Sequence, residues 1–201
     1  MLTERHVQLL RNNSLPLGLC LISVICQLFD PATTTALRYE RSTIQGGEIW
    51  RLVTGNLVHL GWEHLLLNLT GLLLIWLLFG RLLSTRQWLI VTVISCLAVG
   101  LGLLLFNPDL DWYVGLSGML HGLFVTGLLI NLRNGYKLEW LLLLAIVGKL
   151  IWEQFHGAMP GSADIAGGAV VVDAHLYGAI SGIVTGLFLK PIATPIHLPD
   201  K

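Results

Sequence analysis

The sequence predicts an all-α membrane protein built as a bundle of six transmembrane helices. Of its 201 residues, 54% are hydrophobic and only 12% are charged, and the mean hydropathy is +0.73. This composition is too apolar for a soluble domain of this length. Six apolar runs, separated by charged or turn-forming residues, account for most of the chain. We therefore expect a single transmembrane domain over residues 1–201, with short cytoplasmic tails at 1–14 and 190–201.

The predicted helices cover residues 15–29, 57–79, 88–106, 116–132, 138–155 and 170–189. A helix needs about 17–25 residues to cross a bilayer, so the first helix is expected to begin before residue 15. Breaks fall at Asp30-Pro31, Gly80-Arg81, Asn107-Pro108-Asp109, Arg133-Asn134-Gly135, a glycine-rich stretch over 157–168, and Lys190-Pro191. The connection over residues 30–56 is long and contains Trp50, which predicts structure of its own at the outer interface.

The positions of the charged residues predict how the chain is oriented in the membrane. The net charge is zero and gives no indication of a nucleic-acid partner. With the N-terminus in the cytoplasm, the basic residues predicted inside are Arg5, Arg11, Arg81, Arg86, Arg133, Lys137, Lys190 and Lys201. Those predicted outside are Arg38, Arg41 and Arg51. The positive-inside rule therefore favours cytoplasmic N- and C-termini.

Two polar residues stand out because they begin predicted membrane helices. Ser117 opens the fourth helix and His175 lies near the start of the sixth, so both are expected one or two turns below the outer surface. Polar groups at this depth are costly and are usually functional. The backbone amides around Ser117 belong to a helix start and lack intrahelical partners, so they are candidate donors to an anion.

Glycines on the sixth helix predict how the two residues meet. His175, Gly182 and Gly186 share one face within about 20°, and Gly178 lies about 60° away. Small residues let membrane helices approach closely, and Gly118 and Gly122 give the fourth helix a thin surface too. This pattern predicts that His175 packs against Ser117 as its general base.

Further polar residues are predicted at the same depth. His64 and Asn68 are four residues apart on one helix face and supply hydrogen-bond donors for a developing negative charge. His59, at the outer helix end, is interpreted as a structural hydrogen-bonding residue of the first loop, with a catalytic role as the alternative. His121 follows Ser117 by one turn, and it either orients His175 or donates to substrate.

These motifs resemble the rhomboid family of intramembrane serine proteases. The resemblance rests on Trp50-Arg51, His64 with Asn68, Gly115-Leu116-Ser117-Gly118, and Ala174-His175 followed by Gly178 and Gly182. It implies a Ser117 nucleophile, a His175 base, and an oxyanion hole made by His64, Asn68 and the Ser117 amide. It also implies that the partners are the lipid bilayer and the transmembrane segment of an anchored protein, without nucleic acid or cofactor.

One departure from the usual rhomboid pattern indicates a subgroup within the family. Many rhomboids have a tyrosine one turn after the serine, where this chain has His121. This histidine and the short chain resemble the rhombosortase subgroup. That resemblance implies cleavage near the outer face of a bacterial-type inner membrane, on exported proteins whose C-terminal anchors begin with Gly-Gly.

Other interpretations of the same residues have less support in the sequence. A packing role for Ser117 and a non-catalytic rhomboid-like protein that binds membrane helices are the alternatives to catalysis. Metal binding is not expected, because there is no His-Glu-x-x-His and the carboxylates nearest the histidines, Glu63 and Asp173, have no ligand spacing. Lys149 and Glu153 are expected to pair with each other, and Trp152 is a candidate gate residue.

Overall fold

The computed structural model describes residues 4–192, with side chains from Ser14 onward. The elements are α1 (Glu4–Leu28), α2 (Ala32–Leu37), β1 (Tyr39–Glu40), α3 (Arg41–Gln45), α4 (Arg51–Thr54), α5 (Trp62–Phe79), α6 (Thr85–Phe106), β2 (Trp112–Tyr113), α7 (Ser117–Arg133), α8 (Glu139–His156), α9 (Ser162–Ala166) and α10 (Val172–Phe188). The side chains of Arg5 and Arg11, and most of the predicted tail 190–201, lie outside the described residues.

Six long helices, α1, α5, α6, α7, α8 and α10, occupy the six predicted runs. Two of them, α5 and α6, are long and apolar enough by length and composition to cross a membrane, and the segments Ser14–Leu28 and Val172–Phe188 are shorter apolar helices. Many large apolar side chains on these helices are exposed, such as Leu77, Phe106 and Phe188. Such faces suit contact with lipid.

Two predicted helix starts were wrong, whereas that of the first helix agrees with expectation. Helix α1 begins at Glu4, before residue 15 as expected, so most of the predicted tail 1–14 is helical. Helix α5 begins at Trp62 rather than at 57, because the preceding turn buries Val58 and His59. Helix α6 begins at Thr85 rather than at 88, because Ser84 and Gln87 form a reciprocal capping box. This capping box satisfies backbone amides at the helix start.

Helix α7 is the centre of the bundle and packs against α5, α6, α8 and α10. Its buried residues lie on every side of the helix, and its core partners on the neighbouring helices include Leu72, Phe79 and Val91. Cys96 and Cys26 are buried and Cys20 is half-buried, each with a free thiol. Ser117, the first residue of α7, is therefore positioned by a helix that packs against four neighbours.

The long connection between α1 and α5 has structure of its own, as predicted. Its strand β1 pairs antiparallel with β2, which places Tyr39 opposite Tyr113. Arg41 donates hydrogen bonds to four carbonyls at and beyond the end of α6, those of Leu103, Leu104, Asn107 and Leu110. The connection thus fixes the segment between α6 and α7, which leads directly into Ser117.

Candidate active site

The structure brings Ser117 and His175 together. Ser117 is the first residue of α7, and His175 lies in the first turn of α10. The Ser117 Oγ and His175 Nε2 atoms are 2.9 Å apart, which is hydrogen-bonding distance. The His175 residue is only 5% exposed, while Ser117 is half-buried and lines a cavity. This contact was predicted from the sequence.

Small residues allow this contact by bringing the backbones of α7 and α10 together. A Cβ added at Gly178 would overlap the carbonyl oxygen of Gly118, and one at Gly182 would lie 2.5 Å from the carbonyl oxygen of Gly122. The predicted glycine contact between these helices is therefore present. Its tightest point is Gly178, one turn after His175.

His64 and Asn68 line the same cavity as Ser117. The Leu60 N–H is 3.4 Å from His64 Nδ1, an arrangement in which Nδ1 accepts and Nε2 carries the proton. Asn68 donates one hydrogen bond through Nδ2 to the carbonyl oxygen of His64. An amide nitrogen has a second N–H, so both side chains have a donor for an anion.

Gly115 allows the loop before Ser117 to lie directly over His64. Its φ is +119°, in the region that favours glycine. A Cβ at Gly115 would lie 2.6 Å from His64 Cε1 and 2.8 Å from His64 Nε2. The Gly115 N–H donates to the carbonyl oxygen of Gly55, which ties this loop to the long first connection.

The loop that leads into α7 is held by Tyr113. The buried hydroxyl of Tyr113 donates a hydrogen bond to the carbonyl oxygen of Gly115, two residues before Ser117. The Ser117 amide, at the start of the helix, remains the candidate donor. Sequence reasoning missed Tyr113, whose only signal was its position four residues before Ser117.

His59 was assigned the wrong contact. It is 2% exposed, and neither ring nitrogen has a hydrogen-bond partner among the described residues. The expected hydrogen bond to the first loop is therefore missing. The ring instead packs edge-on against His64, with centroids 5.1 Å apart, and burial lowers the pKa of His59 to about 3.

Trp50 and Arg51 lie in the first connection, away from Ser117. Arg51 is buried and donates hydrogen bonds to the carbonyl oxygens of Thr35 and Arg38 and to the carboxylate of Glu48. Trp50 is half exposed. Their geometry indicates that Arg51 organises this connection and that Trp50 faces outward, as predicted for an interface residue.

His121 contacts both members of the pair. Its ring stacks on that of His175, with centroids 4.3 Å apart and planes 16° from parallel. Its Nδ1 lies 2.7 Å from the carbonyl oxygen of Ser117. Of the two roles left open by the sequence, this geometry favours orienting His175.

Two charged residues of α8, Glu153 and Lys149, complete the cluster. They form the predicted pair, at 2.7 Å, but Glu153 also lies 2.9 Å from His175 Nδ1. The expectation that Glu63 and Asp173 are the nearest carboxylates was wrong, since Asp173 accepts a hydrogen bond from Asn107 instead. The available signal was an ionisable pair within an apolar helix.

Three donor groups in this cluster have the spacing of a metal site. Atoms of His121, Glu153 and His175 lie within 4.8 Å of one another. The Lys149 ammonium, however, lies 2.7 Å from Glu153 Oε1 and 3.0 Å from His121 Nε2. A second cation there would be strongly repelled, so hydrogen bonds account for the cluster better than a metal does.

The pair opens into a cavity of about 470 Å³ between α5 and α8. Its lining includes Leu74 and Leu78 of α5 and Ile146 of α8. Residues of α9 and of its flanking segments line the same cavity. The candidate gate residue Trp152 is not among the lining residues and stacks on His156.

Comparison with known proteins adds to this geometry. The Rhomboid domain family matches residues 46–192, more than half of the chain. The chain belongs to the rhomboid family. Rhomboid protease GlpG of Yersinia enterocolitica is 27% identical over 189 residues, which cover 89% of this rhomboid and 64% of GlpG.

Two further relatives match shorter regions. YdcA of Bacillus subtilis is 37% identical over 82 residues, covering 40% of this rhomboid and 41% of YdcA. An uncharacterised protein of Mycobacterium bovis is 27% identical over 154 residues, covering 71% of this rhomboid and 60% of that protein. The chain thus spans 41% to 64% of the length of these relatives. Family membership and the apolar helices place this rhomboid in a membrane.

Proposed function

We propose that this rhomboid is an intramembrane serine endopeptidase in which Ser117 is the nucleophile and His175 the general base. The observation that carries the proposal is the 2.9 Å contact between Ser117 Oγ and His175 Nε2 at the end of a cavity. A serine hydroxyl needs such a base to attack a carbonyl at neutral pH. The similarity to a protein named rhomboid protease GlpG supports the same activity.

The reaction proceeds through an acyl-enzyme. Ser117 Oγ attacks the carbonyl carbon of the substrate peptide bond as His175 Nε2 takes the hydroxyl proton. The carbon–nitrogen bond then breaks, and the imidazolium gives this proton to the leaving amine. A water molecule then attacks the ester carbonyl carbon and loses a proton to His175. The bond from this carbon to Ser117 Oγ breaks, the imidazolium returns the proton to Oγ, and the new carboxyl end leaves. Transfer of the acyl group to an amine in place of water is the variant of the last step.

The oxyanion formed in both steps is stabilised by donors already at the site. The proposal assigns this role to His64 Nε2, the second N–H of Asn68 and the Ser117 amide. Fixed donors in a site with little water act strongly on a developing charge. The proton placement on His64 described above supports its part in this group.

Substrate entry is proposed to be lateral. The cavity lies between α5 and α8 and has apolar walls, which suits a helix arriving from lipid. The site draws on α5, α7, α8 and α10, which supports one catalytic domain. We assign six transmembrane helices to this domain.

The proposed direction of insertion rests on charge. The distribution of basic residues along the chain favours cytoplasmic N- and C-termini. Ser117 then faces the outer side of a bacterial-type inner membrane. Cleavage of Gly-Gly-type C-terminal anchors of exported proteins is the substrate class favoured by His121, which stands in the position that marks the rhombosortase subgroup.

Labelling with a fluorophosphonate tests the catalytic pair. We expect the full chain in detergent micelles to be labelled, and Ser117→Ala and His175→Ala to lose the label while keeping their unfolding temperatures. A chelator is expected to leave labelling unchanged, since the mechanism uses no metal. Equal labelling of the Ser117→Ala variant would contradict Ser117 as the nucleophile, and absence of label on the wild-type chain would favour a non-catalytic helix-binding protein.

The substrate class needs a separate experiment. A co-expressed protein ending in Gly-Gly, an apolar helix and a basic tail is analysed by mass spectrometry with active or Ser117→Ala enzyme. A new C-terminus made only by the active enzyme is the expected result. An unchanged C-terminus in both samples would refute this substrate class.

A further inference from the structure

We propose that Glu153 is the third member of a Ser–His–Glu triad, and that Lys149 holds its carboxylate in position. This inference rests on the proposed protease function. Glu153 does not touch the reacting atoms, so it is a positioning residue that acts through His175. The proposal replaces the two-residue mechanism that the sequence suggested.

The first support is the alignment of the three side chains. Glu153 Oε2 lies 2.9 Å from His175 Nδ1, and the opposite ring nitrogen, Nε2, lies 2.9 Å from Ser117 Oγ. The Glu153 side chain is only 2% exposed, and that of His175 6%. A carboxylate in this position orients the imidazole and stabilises the imidazolium that forms when the serine is deprotonated.

The second support is the tautomer that this contact selects. His175 can take the serine proton only if Nε2 is unprotonated, which requires the proton on Nδ1. The Lys149 ammonium, 3.4 Å from Nδ1, is only a donor and would favour the opposite tautomer. The carboxylate is only an acceptor and is closer, so Glu153 decides the tautomer in favour of catalysis.

The third support is that the remaining contacts agree with this assignment. Lys149 donates to Glu153 Oε1 at 2.7 Å and to His121 Nε2 at 3.0 Å. His121 must then carry its proton on Nδ1, which donates to the Ser117 carbonyl oxygen at 2.7 Å. The Nδ1–H groups of His121 and His175 thus each meet an acceptor, and the ammonium offsets a carboxylate charge that would otherwise be costly at this depth.

A purely structural ion pair is the alternative, and it explains less. Lys149 and Glu153 are four residues apart on α8 and would pair on any helix. That pairing uses only Oε1. It gives no reason for the second oxygen to lie against His175, on a different helix and 22 residues away in the chain.

The test measures inactivation of the full chain in micelles by a fluorophosphonate, resolved into the maximal rate kinact and the half-saturating concentration KI. We expect Glu153→Gln to lower kinact by about 10²–10⁴-fold, the scale seen when a triad carboxylate becomes an amide. KI is expected to stay unchanged, and Glu153→Asp to recover part of the rate. The matched control is Glu139→Gln, the same change on the same helix beside Asn131, which should behave as wild type.

Nitrogen-15 NMR of the His175 ring gives a readout that a structural ion pair would not move. The wild-type ring is expected to carry its proton on Nδ1, and the Glu153→Gln ring to shift towards Nε2–H. If Glu153→Gln unfolds, the double variant Lys149→Met/Glu153→Gln removes both charges and leaves no unpaired ammonium. This double variant is expected to fold and to show the same loss of kinact.

The outcomes separate the two proposals. An Nδ1–H tautomer that persists in Glu153→Gln would overturn the triad, as would a wild-type kinact in either variant that lacks the Glu153 carboxylate. Neither result would affect the catalytic pair. Labelling of Ser117→Ala would instead overturn the protease function on which the triad rests.

Discussion

Placing a methyl group at Gly178 is expected to separate the two helices that carry Ser117 and His175. The Cβ of Gly178→Ala would overlap the carbonyl oxygen of Gly118, which belongs to the helix backbone and is unable to turn aside. Unstrained contacts between non-bonded heavy atoms are about 3.5 Å. Relief of the overlap therefore requires α10 to move away from α7 by on the order of 1 Å.

Two magnitudes follow from this movement. Inserting a methyl group into a packed core costs about 1–3 kcal/mol of unfolding free energy. His175 lies one turn before Gly178, so the 2.9 Å contact with Ser117 would lengthen beyond hydrogen-bonding distance. A displacement of about 1 Å at reacting groups can lower the rate about 100-fold.

The assay combines thermal unfolding in micelles with the rate of fluorophosphonate labelling. The control is Gly148→Ala on α8, where an added Cβ meets nothing within 4 Å. The control is expected to keep the wild-type labelling rate and to gain at most about 1 kcal/mol of stability. Wild-type stability and labelling in Gly178→Ala would refute the inference that close backbone contact aligns the pair.

Three further predictions concern the surroundings of this pair. Gly115→Ala would strain a positive φ and press on the His64 ring. The labelling rate should therefore fall at least about tenfold, and the free energy of unfolding should fall by about 1–2 kcal/mol. An unchanged rate would argue against His64 in the oxyanion hole. His121→Phe keeps a ring for stacking and should retain more labelling than His121→Ala, unless the hydrogen bonds alone orient the base. The hydrogen bond from Arg38 lowers the pKa of Glu40 below its ordinary 4.5, so stability from this pair is present above that value and is lost as pH falls through the lowered pKa. Melting temperatures of Glu40→Gln and wild type should differ at pH 7 and converge in acid; a constant difference would contradict this.

The helices and the central contact were predictable because their signals are local. A run of apolar residues bounded by charged or turn-forming residues predicts a helix regardless of how the rest of the chain packs. The glycines of α10 recur on one helix face together with His175, and small residues on one face indicate where another helix packs. The contact between Ser117 and His175 follows from these two facts.

The helix starts were less predictable because they depend on competing turn contacts. Residues 57–61 are apolar enough to continue a helix, yet Val58 and His59 are buried beneath the first connection. The segment that leads into α7 is held by Arg41, which donates to the carbonyl oxygens of Asn107 and Leu110. Such partners come from other parts of the chain, so no local pattern reports them.

Glu153 shows most clearly what the tertiary structure decided. In the sequence, Glu153 already has a partner in Lys149, one turn away on the same helix. The spacing of residues along α8 does not show which neighbouring helix the face with Glu153 contacts. Only the packing of α8 beside α7 and α10 turns the second carboxylate oxygen towards His175. The sequence by itself determined the helices and the Ser117–His175 pair, because both depend on spacing within a helix. The orientation of α8, and with it the third residue of the site, was decided by packing between helices.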